Sequence, residues 1–449
     1  MTKTVIQNGW IVSMDPNIGT VANADLLIED GAIVAIGGDI DSAGAEVIEA
    51  DGMIVMPGLV NAHLHTWQTG IRGIAGDWSL EQYFQYMHRG MAASFSPEDI
   101  RLGTLVGALN QLDSGVTTLF DWLHNNPTPD HSDGGLDGLI ESGIRGLFGH
   151  GSPKHAPKAG EPHFSEIPHP RSEIERLRKG RLSADDGMVK LAMCILGPHF
   201  SAYEITWADL RLAAEYGLVA SMHMDAGFGR KAPDGITRMR DDRLIDHRLN
   251  VVHGSDLSDE EIAILTDGGA SFSITAEAEM QYGFGHPITG RVIAAGGVPS
   301  IGSDTEAGIS GDMFTAMRIT LQMQRAVDHG PRISPDNPVE ALTRTTRDAL
   351  EWATMGGAKA LGLEDEIGSL TPGKRADVIL VRTGDMNLFP VNDPVQSIVL
   401  HACGANVDTV LVDGRIVKRG GQLKFTDLAR RKEQLAESGA RLIAAAQSA

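Results

Sequence analysis

The sequence predicts an α/β fold, a (β/α)8 TIM-like barrel carrying a small composite β-sandwich domain built from both termini. Three observations predict it. Between Gly58 and Asp304, apolar runs of about four to eight residues alternate with helical patterns, the way a parallel sheet with crossover helices reads. Those runs number eight, which is the strand count of a closed barrel. At both ends of the chain the texture changes to short strands separated by turn residues.

In chain order, Thr4–Gln7, Trp10–Ser13, Asp25–Glu29, Ala32–Ile36 and Glu46–Glu49 read as strands, with Asn8-Gly9 and Asp30-Gly31 as turn dipeptides. The barrel runs are Gly58–His63, Val116–Asp121, Ile144–Gly149, Met188–Leu196, Leu218–His223, Asn250–His253, Ala270–Thr275 and Val298–Asp304. Helix ends are legible between them. Ser96 followed by Pro97 is an N-cap with proline at the first helical position, and Ser258-Asp259-Glu260-Glu261 is a capping box closed by Gly268. The stretch Gly151–Asp186 is long for a barrel connection, so it reads as a lid or as an insertion. A helical stretch, Pro338–Leu361, precedes a return to β texture in Asp377–Arg382, Ser397–His401, Val407–Val412 and Arg415–Lys418. Thr426–Ala449 reads as a closing helix. The expected organisation is a composite β domain from residues 1–56 and 366–425, a barrel over 57–365, and a C-terminal helix over 426–449.

Composition narrows the partners. Of 449 residues, 59 are acidic and 38 basic, a formal charge of −21 with no Lys/Arg block. Phosphate backbones and anionic membranes repel such a surface, which leaves a small-molecule substrate and excludes nucleic acid. The two cysteines, Cys194 and Cys403, cannot build a disulfide scaffold or a cysteine-rich zinc site, and no apolar stretch approaches membrane length. A soluble cytoplasmic protein is expected.

The candidate chemistry lies at strand ends. His63 and His65 fall at the end of the first barrel run, where period-two geometry points both rings to one side. His223, His253 and Asp304 end the fifth, sixth and eighth runs, and the C-terminal ends of barrel strands are where functional groups converge. Singly, each can be a packed or capping residue. Together, three neutral imidazoles and a carboxylate suit one divalent cation with an open position, zinc first and iron, manganese or cobalt as alternatives.

On the segments MPGLVNAHLHTWQTGIRG, DSGVTTLFDW, GPHFSAYEITWADLRLAAEYGLVASMH, VVHGSDLSDEEI, GVPSIGSDTEA, ATMGGAKALGLEDEIGSLTPGKRADVILV and TVLVDGRIV, essentially the whole chain resembles the metal-dependent amidohydrolase superfamily. Within it, the sequence is similar to the ATZ/TRZ-type branch of chlorotriazine hydrolases and heterocycle deaminases. The resemblance implies His63, His65, His223 and Asp304 as ligands of one metal, with His253 beside the water or substrate oxygen and Asp304 also handling a proton. Binuclear relatives carry a lysine at the end of the fourth strand. Here Lys190 lies near the start of that run, which implies a mononuclear site. Dimers or larger homo-oligomers are common in the family and are expected here.

One departure bears on the chemistry. Many deaminating relatives place a glutamate three residues after the fifth-strand histidine, where it protonates the ring nitrogen beside the attacked carbon; this chain has Ala226. Asp225, Glu277 and Glu279 are the substitutes in reach, with Asp225 and Glu279 as candidate acid/base residues. The other member of the glutamate pair would face solvent or Arg291. Gln68, Arg72, Trp78, His199 and Glu277 are candidate substrate-binding residues. An ion pair holding the first loop explains Arg72 equally well, and a helix face packed on the barrel mouth explains Trp78. The activity ranked first is aminohydrolysis of an N-heterocycle by a metal-generated hydroxide. Hydrolysis of an amide, urea or carbamate is the alternative that the missing glutamate favours. A non-catalytic scaffold is the alternative of another class, and five intact rim residues speak against it.

Overall fold

The computed structural model describes residues 2–154, 157, 160–225, 229–330 and 338–448. The chain begins with five strands, β1 (Lys3–Val12), β2 (Thr20–Glu29), β3 (Ala32–Gly37), β4 (Glu46–Glu49) and β5 (Met53–Pro57). Eight parallel strands follow: β6 (Leu59–Leu64), β7 (Val116–Leu123), β8 (Arg145–Gly151), β9 (Val189–Ile195), β10 (Ala220–Met224), β11 (Leu249–His253), β12 (Ser271–Ile274) and β13 (Pro299–Ile301). They are hydrogen-bonded in sequence order from β6 to β13, as the eight runs predict. Four strands close the chain: β14 (Val378–Arg382), β15 (Val407–Val412), β16 (Arg415–Arg419) and β17 (Gln422–Leu423).

Strands from the two ends meet in one sheet. β5 pairs antiparallel with β14 and parallel with β1, giving the order β17-β16-β15-β14-β5-β1-β2-β3 with β4 attached to β1. At the level of hydrogen bonding the expected sandwich is therefore a single mixed sheet of nine strands. It wraps a small core that includes Ile6, Ile11, Leu26, Ile33, Val55, Val378 and Leu411.

Four local expectations are corrected. Thr4–Gln7 and Trp10–Ser13 are one strand, because Asn8-Gly9 forms a bulge rather than a hairpin: Asn8 has φ 60°, and pairing jumps from Ile6–Leu26 to Gly9–Ala24. Gly9 is required by contact as well, since a Cβ there would lie 2.5 Å from Val55. Met53–Pro57, which sequence texture did not mark as a strand, is the link between the two ends. Ser397–His401 is not a strand; Pro394–Leu400 is a helix whose first turn is capped by the Asp393 side chain, which accepts from Gln396 N at 2.9 Å. The helix expected from Pro338 starts only at Thr346, behind a capping box formed by Thr345 and Asp348. The N-cap at Ser96 and the capping box at Ser258 form as expected, and at Ser96 the Asp99 side chain reciprocates to make a second capping box. Leu428–Ser448 is the closing helix, and it is tied to the Pro97–Asp113 helix by Ser438 Oγ donating to Asp99 at 2.5 Å.

The barrel closes over a short seam. β13 has three residues, and the join to β6 is made beyond it, by a bridge between Leu64 and Asp304. The His63 carbonyl accepts from Ser303 N at 3.1 Å and Asp304 N at 3.0 Å, and His65 N donates to the Asp304 carbonyl at 2.7 Å. Buried Asn61 stitches the same seam, donating to Ser303 Oγ at 2.6 Å and accepting from Ser303 N at 3.1 Å. Gly302 is needed there because a Cβ would stand 2.8 Å from both the Cβ and the carbonyl oxygen of His63. Below the mouth, Trp122 Nε1 donates to Ser221 Oγ, Ser221 Oγ to Asn250 Oδ1, and Asn250 Nδ2 to Ser273 Oγ, each at 3.0 Å. This belt satisfies the polar groups that the interior buries. Among the described residues, no helix is long and apolar enough to cross a membrane.

At the foot of the barrel, buried Arg145 at the start of β8 holds the terminal sheet. Its Nε donates to Asp377 Oδ2 at 2.8 Å, and its Nη2 donates at 3.1 Å to both Asp377 Oδ1 and Asp413 Oδ1. Arg145→Met leaves the Asp377 carboxylate buried without its partner. The expected loss of stability is about 3–5 kcal/mol, read as a lower urea midpoint, and Asp377→Leu in the same chain should recover a large part of it.

Candidate active site

The ends of four barrel segments bring five side chains together. His63 lies in β6 and His65 just beyond it, with ring centroids 4.7 Å apart. His223 in β10 stands 4.9 Å from His63 and 5.4 Å from His65, and His253 at the end of β11 stands 5.3 Å from His223, centroid to centroid. On the seam, Asp304 Oδ1 is 3.2 Å from His63 Nε2 and 3.5 Å from His65 Nε2. None of the five is more than 5% exposed. His253 and Asp304 both take left-handed backbone, with φ 64° and 49°. Non-glycine residues accept that conformation at a cost of order 1–3 kcal/mol, usually where a side chain must be aimed.

Burial sets the charges. Desolvation pushes the His65 imidazole down to about 3, the His223 imidazole well below its ordinary value, and the His63 imidazole down despite the neighbouring Asp304 carboxylate. Burial alone would raise Asp304, yet the hydrogen bond to His63 and the surrounding imidazoles hold its carboxyl below the usual range. The His65 tautomer is fixed: Nδ1 lies 2.7 Å from the Trp122 carbonyl, which can only accept, so the Nε2 lone pair faces the cluster. Burial also pulls on His253. There the hydrogen bond toward Glu279 and the charges of Asp225 and Asp304 outweigh it, so this imidazole binds a proton more readily than usual. Thr275 Oγ1 donates to Glu279 Oε1 at 3.3 Å and so accepts from His253 Nδ1 at 2.8 Å.

This donor set fits a divalent ion. Ligand atoms of His63, His65 and His223, and of His63, His253 and Asp304, lie within 4.8 Å of one another. Buried imidazoles crowded around one carboxylate gain little from each other and much from a cation that takes their lone pairs. Residues 54–417 match the amidohydrolase family. A 5-methylthioadenosine/S-adenosylhomocysteine deaminase of Desulforudis audaxviator is 31% identical over 441 residues, 95% of each chain. The chain belongs to the amidohydrolase family. A 5'-deoxyadenosine deaminase of Methanosarcina mazei is 27% identical over 99% of each chain. The zinc-bound structure of an adenosine deaminase from Xanthomonas campestris superposes with a TM-score of 0.82 at 22% identity, again over 99% of each chain. The protein is thus a hydrolase acting on carbon–nitrogen bonds, in a family that depends on metal.

Around this amidohydrolase centre the expected residues fall into two groups. Asp225 and Glu279 flank His253: Asp225 Oδ1 is 3.6 Å from Nε2, and Glu279 Oε1 is 3.5 Å from Nδ1. Asp225 lines the pocket, whereas Glu279 is fully buried behind the ring and accepts from Thr275 N at 2.8 Å. Ala226 lies outside the described residues. Glu277 is turned away, because Ala276–Gln281 is a helix rather than the end of a strand, and positions two apart on a helix do not share a face. It accepts from Ser310 Oγ at 2.6 Å, and Arg291 pairs instead with Asp259.

Gln68 is spent on protein contacts: it accepts from Thr305 Oγ1 and donates to Tyr83 Oη. Arg72 is the loop-holding ion pair, with Nε 2.8 Å from Glu306 Oε2. Trp78 packs on Tyr86, their ring centroids 5.2 Å apart, and does not line the pocket. His199 is buried beside Asp256, 3.5 Å from its Oδ2, and is also absent from the pocket wall. Lys190 pairs with Glu366 at 2.5 Å, away from the histidines. The wall is instead completed by Leu80, Tyr83, Phe84, His88, His124, Lys154, Tyr282 and Phe284. Lys154 sits in the long connection after β8, and that excess length was its one signal.

His63→Ala and His223→Ala should each purify with less than stoichiometric metal by elemental analysis. His199→Ala should retain a full complement.

Proposed function

We propose that this amidohydrolase is a mononuclear, zinc-dependent aminohydrolase that releases ammonia from an amino-substituted N-heterocycle of the adenosine type. The observation that carries the reading is the clustering of neutral His63, His65 and His223, with ionised Asp304 against His63 and His65 and a proton-binding His253 beside them. Kinship over 95% of the chain with an enzyme named for 5-methylthioadenosine and S-adenosylhomocysteine supports the substrate class. His63, His65, His223 and Asp304 would hold the ion. When bound, it supplies Lewis acidity that brings the pKa of a water molecule toward neutrality.

The chain's own groups do the remaining work. Asp304, kept ionised by its imidazole neighbours, can accept a proton at its carboxylate and return it to the leaving amine. His253 Nε2 faces the pocket and can donate to the oxygen that gains charge on the attacked carbon. Thr275 and Glu279 fix the opposite edge of that ring and favour its proton. Burial holds the Tyr83 phenol well above 10, so it stays a hydroxyl; because its oxygen accepts from Gln68, its O–H is free to point at substrate. Gln68 is therefore a positioning residue. The enclosed space at the histidines is about 30 Å³, room for one or two water molecules. A heterocycle needs more room at the histidines than this conformation gives.

A panel of adenosine, 5'-deoxyadenosine, 5-methylthioadenosine and S-adenosylhomocysteine on zinc-loaded enzyme should release ammonia from at least one member. No ammonia from any of them, together with cleavage of aryl ureas or carbamates, overturns the deaminase reading. Asp225→Asn and Glu279→Gln each remove a carboxylate that favours the His253 proton, and each should lower turnover by about 10²–10⁴-fold with zinc still bound, the loss expected when that proton donor is impaired.

A further inference from the structure

The long connection after β8 sends one side chain back over the barrel mouth. Lys154 is 5% exposed and lines the same pocket as His65, His223, Asp225, His253 and Asp304. Its Nζ lies 4.1 Å from the centroid of the Phe200 ring, 5.4 Å from Phe84 and 5.8 Å from Trp122. Among the described residues it makes no hydrogen bond and no ion pair. Burying an ammonium without a partner is costly, and ring faces return part of that cost. Desolvation lowers its pKa to about 8, while the Asp225 and Asp304 carboxylates favour its charged form. A cation kept in this position, with its donors unspent, is placed for a group the protein itself does not supply.

The chemistry of deamination names that group. When an oxygen nucleophile adds to the carbon bearing the amine, the C=N electron pair moves onto the adjacent ring nitrogen, which then needs a donor. His63, His65 and His223 are neutral and face one another, His253 is placed for the oxygen on the attacked carbon, and residue 226 is an alanine with no proton to offer. We propose that Lys154 donates a hydrogen bond from its ammonium to the substrate's ring nitrogen beside the attacked carbon, and so acts as the electrophilic catalytic residue of this site. This assignment rests on the deaminase reading above. No bond to Nζ forms or breaks: the cation balances charge arriving on nitrogen, water supplies the oxygen and the hydrogens, and the amine leaves as ammonia.

The test uses the zinc-loaded full chain and whichever panel substrate the native enzyme deaminates. Lys154→Met keeps the length and the contacts with Phe84 and Phe200 while removing the charge. It should lower kcat about 10²–10³-fold, the loss seen when one preorganised donor is removed, with KM within about threefold and with zinc content and melting temperature retained. Lys154→Cys treated with 2-bromoethylamine, which rebuilds a lysine-like ammonium, should regain at least about tenfold in kcat over the untreated variant; native protein treated alongside controls for Cys194 and Cys403. A Lys154→Met enzyme with kcat within threefold of native overturns the assignment. So does a loss that aminoethylation does not restore, which would make the lysine a structural prop. Native enzyme that releases no ammonia from any panel member overturns the deaminase reading and this inference with it, whereas native turnover with an insensitive Lys154 variant overturns the inference alone.

Discussion

Closure of the barrel between β6 and the turn after β13 is the constraint on which the site depends. The closing bridge joins Leu64 to Asp304, and its flanking hydrogen bonds use the backbones of His63, His65, Ser303 and Asp304. Folding the barrel and assembling the centre are thus one event. A one-residue slip of β6 would turn His63 and His65 to the opposite face, away from Asp304, and would also lose the Asn61 contacts with Ser303. The catalytic geometry is held by the same register that gives the domain its shape.

Burial then sets the chemistry of the converged groups. Imidazoles that would titrate near neutrality in water are held neutral by desolvation, while the one carboxylate among them is held ionised by hydrogen bonding and neighbouring positive charge. His253 departs from its neighbours because Glu279 and Asp225 stand on either side of its ring. Four histidines within a few ångströms consequently divide into three held neutral and one, His253, that binds a proton more readily. Their residue type is the same, and the carboxylates around them differ.

The rest of the molecule keeps these groups where they are. The belt running from Trp122 through Ser221 and Asn250 to Ser273 lies beneath the histidines, and the Trp122 carbonyl fixes the His65 tautomer. Arg145 anchors the foot of the barrel to the sheet made from both chain ends, so the second structural unit braces the first from below. Above, Lys154 and the aromatic residues near Tyr83 roof a space sized for water.

Much of this was legible in the sequence. Eight apolar runs between helical patterns determined the barrel, because a parallel strand buried on both faces leaves a continuous apolar signature. The positions of His63, His65, His223, His253 and Asp304 at the ends of those runs determined the centre, because strand ends in a barrel converge. Tertiary structure decided the remainder. Glu277 and Glu279 look alike in sequence, and only the helical turn that follows β12 sends one to Ser310 and the other to His253. Gln68 and Arg72 look like substrate ligands until their protein partners, Tyr83 and Glu306, come into contact from distant segments. Lys154 carries no signal beyond the length of its connection, since its position depends on a loop path that folds it over rings contributed by Phe84, Trp122 and Phe200. Local pattern reports which face a strand buries and where it ends; which side chains then meet across the mouth is set by long-range packing, which no single stretch of the chain encodes.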